Sequence, residues 1–88
     1  MISRKVKIPN PTGLHLRPAG MFCKCAARFE ECSVRFRIGR TTGNAKSVLS
    51  VLAAGIKQGD EVEIICEGKD EEQVLDTMIR FVEEELED

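Results

Sequence analysis

Tryptophan and tyrosine are missing from this chain of 88 residues, and four phenylalanines are its only aromatics. Its core must therefore be built from aliphatic side chains, and no aromatic pair is offered for stacking nucleic-acid bases. With a net charge of −2 as well, direct binding to nucleic acid is not expected. Prolines number only three and 42% of residues are hydrophobic, which describes a globular chain and not a disordered one. No apolar run approaches the roughly 20 residues of a spanning helix, so membrane insertion is not expected. The opening residues, Met1 to Lys7, alternate charge with apolar side chains and lack the apolar stretch of a signal peptide. One small domain over residues 1–88, in the cytoplasm, is the expectation.

Cysteine is not scarce. Cys23, Cys25, Cys32 and Cys66 make an even count, but a disulfide framework belongs to secreted chains. Cys23 and Cys25 form C-x-C, whose side chains point to different faces of a helix. Zinc sites favour paired C-x₂₋₄-C spacing, so no metal is expected, and buried small hydrophobes are the simplest reading. No cofactor is expected. Charge is unevenly spread. Residues 1–50 carry ten Lys/Arg and two Asp/Glu, a net of +8, and residues 51–88 carry three and thirteen, a net of −10. A basic face near His15 and an acidic face elsewhere follow as an expectation, together with acidic or phosphorylated protein partners.

The hydrophobic pattern predicts β-α-β-β-α-β-α. A strand runs from Ile2 to Ile8, with Ile2, Arg4, Val6 and Ile8 on one side and Ser3, Lys5 and Lys7 on the other. Pro9-Asn10-Pro11-Thr12-Gly13 breaks it. A helix is predicted from Leu16 to Phe29, with Pro18 in its first turn and His15 at or just before its N-cap. Because a residue before proline avoids the α region, Arg17 is expected to be strained or extended. Ser33 to Ile38 is a strand, with a short hairpin partner at Thr41-Thr42. Ser47 caps a short helix, Val48 to Ala54, which Gly55 stops. Gly59-Asp60 opens the last strand, with Val62, Ile64 and Cys66 inward. A long helix begins at Asp70, with Gln73 completing a capping box and Val74, Leu75, Met78, Ile79, Val82 and Leu86 as its buried stripe. The economical assembly is an α+β antiparallel sheet with all helices on one face, the other face being wet and charged.

The chemistry centres on the single histidine. A neutral imidazole nitrogen accepts a phosphoryl group, and the phosphoramidate stays reactive enough to pass it on. The N–H groups at a helix start welcome the phosphate oxygens, and Arg17 adds a planar fork of donors. The plain alternative is a histidine that only caps a helix beside a surface arginine. Ser47 is a cap and also a place where a phosphate is tolerated. Val48, Leu49, Val51 and Leu52 cannot all face inward from so short a helix, so some form an exposed patch for a partner.

Gly13-Leu14-His15-Leu16-Arg17-Pro18-Ala19 resembles the G-[LI]-H-x-R-P-A phosphorylation motif of the HPr family, the histidine-containing phosphocarriers of the bacterial sugar phosphotransferase system. Asn44-Ala45-Lys46-Ser47-Val48-Leu49, followed by Gly55-Ile56 and Gly59-Asp60-Glu61-Val62, is similar to that family's regulatory-serine segment. The resemblance spans the whole chain. It implies an open-faced β-sandwich of four antiparallel strands under three helices. It implies that His15 takes a phosphoryl group from phosphorylated enzyme I and passes it to IIA domains of sugar permeases, with Arg17 stabilising the phosphate. Such a protein is a relay and not an enzyme with its own turnover. Ser47 matches the serine modified by HPr kinase/phosphorylase, whose product acts with a catabolite regulator. Leu16, Gly20, Met21, Lys24, Val48, Leu49 and Leu52 match the surface that meets enzyme I and IIA. Leu16 is bulkier than the Ala or Thr usual there, and Gly20-Met21, Ser50 and the cysteine content also depart from the pattern. The alternative from another class is a regulatory binding module in carbon-catabolite or nitrogen-related control, switched at Ser47. Purely regulatory relatives typically lack a histidine at this site, and this chain has one. A third reading, a redox or metal domain, would use the four cysteines.

Overall fold

The structure, a computed structural model, describes residues 1–86. Its elements are β1 (Ile2–Lys7), α1 (Leu16–Ala27), β2 (Cys32–Ile38), β3 (Thr41–Asn44), α2 (Val48–Ala53), β4 (Glu61–Gly68) and α3 (Glu71–Glu84). All strand pairs are antiparallel, and the sheet order is β1-β4-β2-β3. The α+β open-faced sandwich expected from the sequence is what forms.

Alternation decides the two faces of the sheet. Val6, Val34, Phe36, Val62, Ile64 and Cys66 point inward and are buried. They meet Phe22 and Ala26 of α1, Val51 of α2, and Val74, Leu75, Met78 and Val82 of α3 in one core. On the outer face Lys5 lies opposite Glu63 and Lys7 opposite Glu61 in the β1–β4 register, and Arg37 lies opposite Glu63 on the other side. The Arg37 guanidinium pairs with the Glu63 carboxylate. Ser3 Oγ donates to the same carboxylate at 2.7 Å.

This arrangement changes where the basic charge sits. Four of the basic residues of the first half, Lys5, Lys7, Arg35 and Arg37, lie on the outer sheet face and interleave there with glutamates. They do not gather near His15, because strand alternation sends them to the wet face. Arg4, on the inner side of β1, is exposed at the sheet edge and pairs with Asp76 of α3 at 3.0 Å.

Several boundaries differ from the sequence reading. Helix α1 ends at Ala27 with Arg28 as its C-cap, so Phe29 lies beyond it and packs on the core from the loop. Strand β2 begins at Cys32, β3 extends to Asn44, and β4 starts at Glu61. Ala54 is the C-cap of α2, followed by Gly55 at φ +62°. The expected capping box at Asp70 is not formed. Asp70 is left-handed (φ 57°) and its side chain makes no cap bond. Glu71 takes over, accepting the Gly68 N–H at 3.1 Å and pairing with the N-terminal ammonium. The last of the expected stripe, Leu86, lies past the helix but is packed against the core.

Candidate functional site

The loop from β1 into α1 is built before the histidine is placed. The Gly13 N–H donates to Asn10 O at 3.0 Å, closing a turn over Pro11-Thr12. Gly13 has φ +65°, and a Cβ there would sit 2.4 Å from the Ile56 carbonyl oxygen and 2.6 Å from Lys57 Cα. Only glycine fits so close an approach. The next N–H, of Leu14, donates to Ile56 O at 3.0 Å, and the Leu14 side chain is buried in the core. The loop thus rests on the segment after α2, which is why the chain enters α1 at a defined point.

His15 is the N-cap of α1, with extended backbone (φ −78°, ψ −169°). Its carbonyl accepts the Ala19 N–H at 2.8 Å, the first bond of the helix. Its side chain makes no cap bond and is exposed. The ring is therefore not consumed in capping, which was the plain alternative. The N–H groups of Leu16 and Arg17 have no carbonyl one turn earlier within the helix, and Pro18 has no N–H to leave unpaired. Arg17 is exposed and lies inside the helix, not in the extended conformation expected before a proline. The first-turn position overrides that preference, because Leu16, Arg17 and Pro18 are the opening residues of an otherwise regular helix. The helix dipole adds positive potential at this end.

Ser47 is the N-cap of α2, and its Oγ accepts the Ser50 N–H at 3.3 Å. The apolar run after it divides as predicted from its length. Val51 is fully buried, Leu52 is half-buried, Val48 is 37% exposed and Leu49 is 80% exposed. Leu16 on α1 is 65% exposed. Helices α1 and α2 pack against each other. Met21 is half-buried and Lys24 exposed on α1, and Gly20 faces open space.

Sequence reasoning missed one charged residue here. The Lys46 ammonium donates to Phe29 O at 2.7 Å and Cys32 O at 2.8 Å. It ties the residue before the Ser47 cap to the turn between α1 and β2. No local signal marks this role, since its acceptors are backbone carbonyls far along the chain.

The four cysteines are free and buried. Burial pushes the Cys23 thiol up to about 11 and the Cys66 thiol up to about 12, the nearby Cys32 adding to the latter. Burial likewise raises Cys25, partly offset by Arg28. Burial thus disfavours the thiolate, the form that attacks or ligates, at Cys23, Cys25 and Cys66. Among the described residues no three His, Cys, Asp or Glu side chains gather where they could hold a metal ion. Among them, too, no helix is long and apolar enough to cross a membrane.

Fold and site define a small open-faced α+β sandwich whose first helix has an exposed histidine as its N-cap residue, the side chain making no cap bond. The family profile described as "PTS HPr component phosphorylation site" matches residues 2–84. The HPr-like protein Crh of Bacillus subtilis is 34% identical over 86 residues, 98% of this chain and 100% of that protein. The phosphocarrier protein HPr of Mycoplasma pneumoniae is 32% identical over 79 residues, 90% of each chain. In three dimensions the chain is similar to HPr-C-His of Thermoanaerobacter tengcongensis. The TM-score is 0.89 at 32% identity, covering 94% of this chain and 92% of that one. The chain belongs to the HPr family.

Proposed function

We propose that this chain is a cytoplasmic phosphocarrier of the sugar phosphotransferase system, phosphorylated on His15. The observation that carries the reading is an exposed imidazole that its helix does not use as a cap, beside backbone N–H groups and Arg17. An unprotonated ring nitrogen gives its electron pair to the phosphorus of the charged donor. The bond from phosphorus to the donor breaks, and the donor keeps that pair. The helix-start N–H groups and the Arg17 guanidinium stabilise the transferred oxygens. The reverse event, onto an acceptor, uses the same groups. Enzyme I charged by phosphoenolpyruvate is the donor, and IIA domains of sugar permeases are the acceptors. Leu16, Gly20, Met21, Lys24, Val48, Leu49 and Leu52 form the docking surface, where exposed Leu16 and Leu49 are the apolar anchors. Incubation with enzyme I and phosphoenolpyruvate labels the wild type, and His15→Ala abolishes the label. Label retained in that variant would refute the assignment.

A second role is favoured by the placement of Ser47 at the start of α2, directly before exposed Val48 and Leu49. HPr kinase/phosphorylase adds a phosphate to Ser47, and the dianion beside the apolar patch changes which partner docks, a catabolite regulator among them. Kinase and ATP should give an acid-stable phosphate that Ser47→Ala removes. Were that the only phosphate the chain ever accepts, it would be an HPr-like regulator and not a carrier.

A further inference from the structure

Asn10 is the one polar side chain buried among the described residues, at 6% exposure. A buried carboxamide is tolerated where it is hydrogen-bonded. It lies in the loop before His15, and two of its bonds go to Gly13. Its Nδ2 donates to the Gly13 carbonyl oxygen. Its backbone carbonyl accepts the Gly13 N–H at 3.0 Å. The peptide unit joining Gly13 to Leu14 is therefore held from both edges. Asn10 takes its oxygen, and Ile56 O takes its N–H at 3.0 Å. A peptide unit is planar, so two bonds on opposite edges fix its orientation. Leu14 follows, anchored in the core, and then His15. The Ile56 side of the clamp is tied down in turn: Gln58 Nε2 donates to Pro9 O at 3.1 Å, and the Gly59 N–H to Ile8 O at 2.9 Å.

We infer that Asn10 is the positioning residue of the phosphoryl-accepting loop, setting through the Gly13–Leu14 peptide where the His15 ring and the first N–H groups of α1 stand during transfer. The inference rests on the phosphocarrier reading of His15. Asn10 touches no reacting atom. It acts by holding the approach geometry, and small misplacements at that stage are costly in rate.

The test compares Asn10→Asp and Asn10→Ala with Val82→Ala, a core change on the buried face of α3. Asn10→Asp keeps the shape but replaces the donor by an acceptor, and Asn10→Ala removes the whole carboxamide. Transfer from enzyme I charged with radiolabelled phosphoenolpyruvate is measured at varied carrier concentration, with Tm and amide exchange at Leu14. Both Asn10 variants should lose at least about tenfold in kcat with KM within about twofold, and Leu14 exchange should quicken, while Val82→Ala lowers Tm and leaves kcat within about twofold. Asn10 variants with the kcat of Val82→Ala at similar Tm would overturn the positioning role. So would a loss seen only in KM, which would make Asn10 a docking residue. A wild type that takes no label overturns the phosphocarrier reading itself, and this is distinct from wild-type labelling with indifferent Asn10 variants.

Discussion

At the residue scale, two side chains show how far type and spacing carry an argument. The place of His15 was legible because Gly13 marks a turn before it and Pro18 belongs in a first helical turn, which puts the helix start within the few residues between them. Lys46 was not legible, because a lysine in a polar turn looks like any solvated cation. The structure gives its ammonium two carbonyls, of Phe29 and Cys32. Lys46→Met keeps the stem and removes the donors, leaving both carbonyls without that partner. Equilibrium urea unfolding should show a loss of about 1–3 kcal/mol, and a variant as stable as wild type would show that water replaces the ammonium there.

At the element scale, strands were read more securely than helix ends. Period-two alternation in β2 and β4 leaves one assignment that buries Val34, Phe36, Val62 and Ile64. Helix ends depend on cap geometry, which competing residues can supply. At Asp70 the cap residue turns left-handed, and Glu71 reaches back to the Gly68 N–H in place of the expected box. Arg17 failed in the other direction, a local preference before proline yielding to the helix around it. The loop entering α1 is where the local and the tertiary meet. Its glycine announces a turn, but the shelf formed by Ile56 and Lys57 is invisible in a linear reading. Gly13→Ala places a Cβ at positive φ against that shelf. It should cost more than about 1 kcal/mol by thermal or urea unfolding. Chemical-shift changes in amides 13–17 and 56–57 should accompany it, and unchanged shifts at 56–57 would contradict the close approach.

For the whole molecule, the charge split along the chain becomes a ladder across the wet face of the sheet. The first-half cations meet the second-half glutamates because β4 lies between β1 and β2. The alternation marked that face as wet and charged, but the meeting of opposite signs and its concentration on Glu63 required the register. The Ser3 hydroxyl and then the Arg37 guanidinium hold the Glu63 carboxyl below its ordinary value, and the Gly68 N–H and then the N-terminal ammonium do the same for Glu71. A lowered folded value means that the unfolded chain binds protons first as pH falls. The stabilisation is complete above the unfolded carboxyl value of about 4.3 and is lost as pH drops through the lower folded values. Glu63→Gln should therefore flatten the acid side of the stability–pH curve and leave the slope between about pH 6 and 8 unaltered. An unchanged acid limb would show that Glu63 is not held by these partners.

The fold, the family and the place of the histidine meet in one claim, that His15 carries phosphate between proteins. The most direct measurement is intact-mass and ³¹P NMR analysis of the chain after reaction with enzyme I and phosphoenolpyruvate. One phosphoryl group per chain, bonded to a ring nitrogen of His15, lost in acid and discharged on addition of an IIA domain, is the predicted result. A chain left unmodified, or modified only at a serine with an acid-stable phosphate, would contradict it.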